Sequence, residues 1–378
     1  MTVNARNGFR FRKSFIIPIL FMASLSAQNT IIVGTYTNSK DCNSGGIYVF
    51  DFDENTYDYQ LKFHTDNIIN PSFVSLSPDR NNLFAVNENG DKSTVTAFKM
   101  DGATGTLTKT DEKPTNGEDP CFLITDQDHI IVANYSGGSI NVFKRSGDAQ
   151  LSEVVQNITF SGKGHHPERQ EKSHIHQVQF SQDHQYLLAT DLGLDKIYVF
   201  KYHPSDRQPL EKFGEFDTKK GSGPRHLAFN KKGNLIYLVQ ELSGDLSVLS
   251  FENENLKLLQ EETLISRNVH FKFRAADVHL TDKEDFLYVT NRDDADDITT
   301  FKILNNGLVQ KVQQIKTTGR NPRNFAISPN NRLVLIANQD TNRINIFTRD
   351  AQSGKLTATR HSIPVCAPVN VIFYEKGQ

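Results

Sequence analysis

Short runs of alternating apolar and polar residues recur along this chain in one fixed order. A lead-in strand, a polar turn and a second apolar strand read PSFVSLSPDRNNLFAVNENG from Pro71, and the pattern returns at Pro120, Ile175, Pro224, Ala275 and Pro322. A partial copy, PVNVIFYE, begins at Pro368, and the copies follow one another at intervals of 46 to 55 residues. An apolar residue at every second position fits a pleated strand with one buried face, whereas few stretches carry the 3.6-residue period of a helix. The turns use Asn, Asp, Gly, Lys and Ser, which tolerate the tight backbone of a hairpin.

Each unit adds a third strand, as in Val95 to Phe98, Ile140 to Phe143, Ile197 to Phe200 and Ile344 to Phe347, and a weaker fourth, as in Thr106 to Thr108. Four short strands at a period near 50 residues predict a propeller blade. Six full units are present, and a composite one in which the N-terminal IIVGTYT and GIYVFDFD complete the lone C-terminal strand. The predicted fold is therefore an all-β, seven-bladed β-propeller of four-stranded antiparallel blades over residues 28–378. Its ring is closed by pairing N-terminal strands with the C-terminal one, which removes the exposed sheet edge.

Registering the copies on one another locates candidate chemistry. The second position of each unit reads Ser72, Cys121, His176, Arg225, Ala276, Arg323 and Val369, and in a propeller it opens the innermost strand, at the mouth of the central channel. The residue after the second strand reads Glu88, Tyr135, Leu192, Glu241, Arg292, Gln339 and Thr35. Taken singly, an Arg at a strand start is explained by a salt bridge to a loop and a Glu after a strand by contact with water. Together, His176, Arg225, Glu241, Arg292 and Arg323 fall in consecutive blades on one rim. Guanidinium groups beside a carboxylate and an imidazole suit an anionic substrate whose carbonyl oxygen becomes negative in the transition state, with His176 or Glu241 as proton acceptor. The Arg charges should keep Glu241 ionised and His176 neutral.

The longest interval contains GKGHHPERQEKSHIHQ. His165, His166, His174 and His176 have the residue type of a zinc site, but a loop over a propeller mouth also carries His for substrate contacts, and no metal is expected. Lys163 and His174 are candidate substrate contacts from this loop. Cofactor motifs are absent: the chain has no G-x-S-x-G elbow, H-E-x-x-H, P-loop or G-x-G-x-x-G, so no cofactor is expected.

Charge narrows the partners. The chain carries 42 Lys and Arg against 44 Asp and Glu, a formal −2, so no general basic field is available for nucleic acid. Met1 to Ala27 combines Arg6, Arg10, Arg12 and Lys13, the apolar run Phe15 to Ala23 and a small-residue end, the three parts of a secretory signal peptide. Its removal takes away four basic and no acidic residues, which brings the formal charge from −2 to −6. The expected location is periplasmic or secreted, with no membrane attachment after cleavage; the run is too short to anchor. Cys42, Cys121 and Cys366 are too few for a disulfide framework and read best as small apolar filler, with one bonded pair as the alternative.

The stretches GTYT, NPSFVSLSPD, AVNE, ANYSGGSINVF, GSGPRHLAF, QELSG, TNRD and GRNPRNFAISP resemble the seven-bladed lactonase family, which includes propeller-type 6-phosphogluconolactonase and carboxy-cis,cis-muconate cyclase. The resemblance runs from about Ile31 to Phe373 and implies hydrolysis of a sugar-acid lactone. It implies that His176, Arg225, Glu241 and Arg292 carry the chemistry. Asp293 stands where the family often has Gly, a substitution that could re-aim Arg292. A muconate-type cyclisation uses the same polar set, and a non-catalytic binding scaffold is the remaining expectation for this fold.

Overall fold

A computed structural model describes residues 1–2, 28–39, 41–252, 254–265 and 272–375. The stretch expected to be an export signal lies almost wholly outside them. The described residues form seven four-stranded antiparallel sheets. Their inner strands are Pro71–Leu76, Pro120–Thr125, Ile175–Phe180, Pro224–Phe229, Phe273–Leu280, Pro322–Ile327 and Pro368–Tyr374. Each inner strand touches the next, and Pro368–Tyr374 touches Pro71–Leu76, so the sheets close a ring. In the closing blade Pro368–Tyr374 pairs with Gln28–Thr35, followed by Tyr48–Asp53 and Tyr59–His64.

One turn chemistry serves five blades. Ser77, Ser181, Asn230, Thr281 and Ser328 open the hairpin between first and second strands, and each side-chain oxygen accepts the backbone N–H five residues on, at 2.9–3.2 Å. Three residues after the opener, Arg80, His184, Gly233, Glu284 and Asn331 adopt φ of +55° to +75°. The tight left-handed step is thus held by a side-chain cap even where the residue is not glycine.

The core lies between blades. On the third strand Phe50, Phe98, Phe143, Phe200, Phe301 and Phe347 occupy equivalent positions and are at most 4% exposed, with Leu249 in the remaining blade. Fully burying each such ring contributes roughly 1.5–3 kcal/mol.

The ring is also closed covalently. Cys42 and Cys366 form a disulfide across 324 residues, while Cys121 is a buried free thiol. This corrects the reading of all three cysteines as filler. Closure of the ring brings the two loops together, a proximity that sequence separation hides.

One irregularity positions the site. In every blade the first strand's register slips at its second position, for example between Pro71 and Phe73, Ile175 and Gln177, and Pro224 and His226. Ser72, Cys121, His176, Arg225, Arg323 and Val369 are the extra residues; in the remaining blade the slip takes in both Ala276 and Asp277. A bulge residue is left out of the ladder, and its side chain is re-aimed. Here the six single-bulge residues, Ser72, Cys121, His176, Arg225, Arg323 and Val369, all line the narrow centre of the channel.

Candidate active site

A cavity of about 300 Å³ opens at one end of this channel. It is lined by Glu241, which follows the strand Leu235–Gln240 and is 2% exposed. Arg225 Nε donates to Glu241 Oε2 at 2.9 Å, and Arg292 Nη2 donates to the same oxygen at 2.7 Å. Arg169 Nη2 donates to Oε1 at 2.6 Å and to the Tyr135 hydroxyl at 3.1 Å. Arg225 is fixed further by the carbonyl of Ala276 in the next blade. Burial alone would raise the Glu241 carboxyl, but the Arg292, Arg225 and Arg169 charges outweigh it and hold the group well below the usual carboxylate range.

His176 lines the same cavity and is 4% exposed. Its Nδ1 lies 3.7 Å from the Cys121 sulfur, and its ring meets Tyr135 edge-on at 5.5 Å and His226 at 5.1 Å. Burial, then the charges of Arg225, His226, Arg323 and Arg292, push His176 well below its ordinary value, so it is neutral at pH 7. Both protonation states expected from the sequence are thus present. Beneath it His226 Nδ1 is 2.8 Å from Asp277 Oδ1, and His279 Nε2 is 2.9 Å from Oδ2 of the same carboxylate.

Arg292 belongs to the strand Phe286–Asp293 rather than following it, because this blade's pairing begins two residues earlier, at Phe273. Asp293 takes φ of +62°, the left-handed conformation that favours glycine. Its carboxylate is engaged by Arg274 in a two-pronged pair at 2.7 and 2.7 Å, so Asp293 fixes Arg274 beside the cavity while Arg292 stays on Glu241. Arg323 also lines the cavity and stacks its guanidinium 5.4 Å over the Tyr36 ring.

Two loop residues lie elsewhere. Lys163 lines a separate groove with His165, Asp195 and Lys220. His174 packs behind the site: it stacks on Tyr135 at 4.4 Å, with Nδ1 3.0 Å from the Tyr135 carbonyl and Nε2 3.1 Å from Glu171. The four loop histidines are accordingly not gathered, and among the described residues no group of three or more His, Cys, Asp or Glu could hold a metal ion. Arg169, Arg274 and Tyr36 are functional candidates that strand register did not bring in, while Glu88 and Tyr135 stood in the register beside Glu241 without being singled out. Arg169 was visible only as the single arginine of the stretch GKGHHPERQEKSHIHQ. Among the described residues no helix is long and apolar enough to cross a membrane.

The sequence profile of the family described as "Lactonase, 7-bladed beta-propeller" matches residues 30–373. The chain belongs to this lactonase family. It is 35% identical to a 6-phosphogluconolactonase of Formosa agariphila over 86% of this chain and 94% of that one. It is 30% identical to a 6-phosphogluconolactonase of Bacillus subtilis over 90% and 97%. The solved structure of the Pseudomonas aeruginosa periplasmic gluconolactonase covers 93% of this lactonase-family chain and 100% of its own, at 34% identity and a TM-score of 0.87.

Proposed function

We propose that this chain hydrolyses a sugar-acid lactone, with an unphosphorylated aldonolactone preferred over a 6-phosphate, in an exported form. The observation that carries the reading is the convergence of Arg225, Arg292 and Arg169 on Glu241 inside the cavity that also holds His176. Glu241 fixes the guanidinium planes. Arg292, which lines the cavity, then presents its remaining N–H groups to a lactone carbonyl, where negative charge develops when water adds; Arg225, in the narrow channel centre, holds Glu241 in place, and Arg323 assists at the rim. Preorganised donors of this kind need no rearrangement as the tetrahedral oxyanion forms. Neutral His176 accepts a hydrogen bond from the substrate or from water.

The preference for an uncharged substrate tail follows from the charge inventory. Arg169, Arg225 and Arg292 are committed to Glu241, and Arg274 is committed to Asp293. A phosphate dianion would compete with Glu241 and Asp293 for these four guanidinium groups, and Arg323 is the lining arginine outside such a carboxylate pair. Export is supported by the Cys42–Cys366 disulfide, a bond that persists in oxidising compartments. The periplasmic relative supports the same location.

Titration at constant pH of glucono-δ-lactone and its 6-phosphate, corrected for spontaneous opening, tests the activity. The unphosphorylated lactone should turn over at the higher kcat/KM, with EDTA without effect. Turnover of muconates without either lactone would replace this reading with the cyclase, and inactivity on all three would replace it with a binding scaffold. Fractionation of cells producing the full chain tests export: the product should leave the cytoplasm shortened by its N-terminal segment.

A further inference from the structure

The repeat places a second carboxylate in the cavity, and its partners differ in kind from those of Glu241. Glu88 follows the strand Asn82–Asn87 as Glu241 follows Leu235–Gln240. Each is paired with the bulge residue sixteen positions earlier, Glu88 with Ser72 and Glu241 with Arg225. The two blades stand three steps apart in the seven-blade ring, so the carboxylates lie on facing walls of one cavity. Where Glu241 is gripped by guanidinium groups, Glu88 meets hydroxyls: Ser72 Oγ, and Tyr36 OH at 3.0 and 3.1 Å from its two oxygens.

That difference decides what each can do. A guanidinium only donates, so the ring of three around Glu241 is compatible with the carboxylate form alone. A hydroxyl donates to a carboxylate and equally accepts from a carboxylic acid, so the Ser72 and Tyr36 cradle serves Glu88 in both protonation states. A proton-transfer group must pass through both within one turnover.

We infer that Glu88 is the residue that moves the proton in lactone opening, an inference that rests on the lactone-hydrolase reading above. Glu88 carboxylate takes a proton from a water as its oxygen bonds to the lactone carbonyl carbon, and the π pair moves onto the carbonyl oxygen facing Arg292. The tetrahedral adduct collapses, the bond from carbon to ring oxygen breaks, and the ring oxygen takes the proton back from Glu88. The product is the open hydroxy acid, and Glu88 returns as carboxylate. Its surroundings agree: burial pushes Glu88 up, while Arg323, Ser72 and Tyr36 pull it down in part and Asp119 opposes them. Glu241 is held low and is a poor base; the pair of carboxylates is thereby divided into an anchor and a shuttle.

The test is Glu88→Gln, which keeps the size and both hydroxyl contacts, assayed on glucono-δ-lactone from pH 5 to 8 beside the wild type. The expected result is a kcat lowered about 10²-fold or more with KM within threefold, and loss of the acid limb of the kcat/KM profile. Glu88→Asp should recover part of kcat. Glu88→Gln with kcat within threefold of an active wild type, or with KM alone raised, overturns the role of Glu88 and leaves the lactonase reading standing. A wild type inactive on every lactone overturns that reading and this one with it. Ser72→Ala covers a folding failure of Glu88→Gln: one lost donor should move the acid limb to higher pH, and an unmoved limb overturns the inference.

Discussion

Arg225 and Arg292 come from adjacent blades yet donate to a single oxygen of Glu241, at 2.9 and 2.7 Å. Two like charges are brought side by side because one buried carboxylate sits between them. Removing it leaves Arg225, Arg292 and Arg169 repelling one another around a buried position. Glu241→Ala should therefore cost roughly 3–5 kcal/mol in urea unfolding, as for other broken buried pairs, and lower kcat/KM at least 10²-fold.

Arg169 reaches Glu241 from a loop and is the more exposed partner, at 29% against 2% for Arg225 and Arg292. Its contribution to stability is correspondingly smaller. Arg169→Ala should keep the thermal midpoint within a few degrees while lowering kcat/KM about tenfold, through loss of the charge that spans Tyr135 and Glu241. Steady-state kinetics with a thermal melt on the same sample checks both halves.

Acid should weaken the fold through the channel histidines. Burial and the Arg225 charge push His226 down to about 4, despite the hydrogen bond it donates to Asp277, against an ordinary 6.5. The unfolded chain binds this proton below pH 6.5 and the folded chain does not until about pH 4, so stability falls as pH drops through that window, by up to about 1.4 kcal/mol per unit per histidine. His176 adds in the same sense. His279, raised because Asp277 outweighs its burial, contributes stability that is fully present below pH 6.5 and is lost as pH rises through its folded value. Urea midpoints at pH 6.5, 5.5 and 4.5 should decline, and His226→Gln should flatten the decline.

Reduction should loosen the ring. The Cys42–Cys366 bond joins the loop after the first strand of the closing blade to the loop before its last, so dithiothreitol or Cys42→Ser should cost about 2–4 kcal/mol, while Cys121→Ser leaves the response to reductant unchanged. Thermal melts with and without reductant read this directly.

The fold was legible because the same apolar rhythm is written seven times, and because each hairpin opener caps its own turn within five residues. His176, Arg225, Glu241 and Arg292 emerged from the register for the same reason: they occupy repeated positions, and repetition makes an unusual residue conspicuous. Arg169 was illegible because it reaches the cavity from a loop that the repeat does not contain, and Tyr36 because it stands one place beyond the register position held by Thr35. Lys163 and His174 sit in the same long loop as Arg169, yet the loop folds back on itself through Gln170, which binds the backbone of His165 and His166. That fold sends the three side chains to three places. Glu88 stood in the register from the start, and only its hydroxyl partners distinguish it from a solvated carboxylate.

The slip in every inner strand has a consequence for how such a molecule can change. A residue outside the hydrogen-bonded ladder can be exchanged without taxing strand pairing, so each blade offers the axis one socket whose occupant is chosen independently of the scaffold. Around this channel the sockets hold serine, cysteine, histidine, arginine, alanine, arginine and valine. New chemistry on this framework needs no new backbone: a single exchange at Ala276 or Val369 would rewrite one character of a seven-character code that the ring already displays.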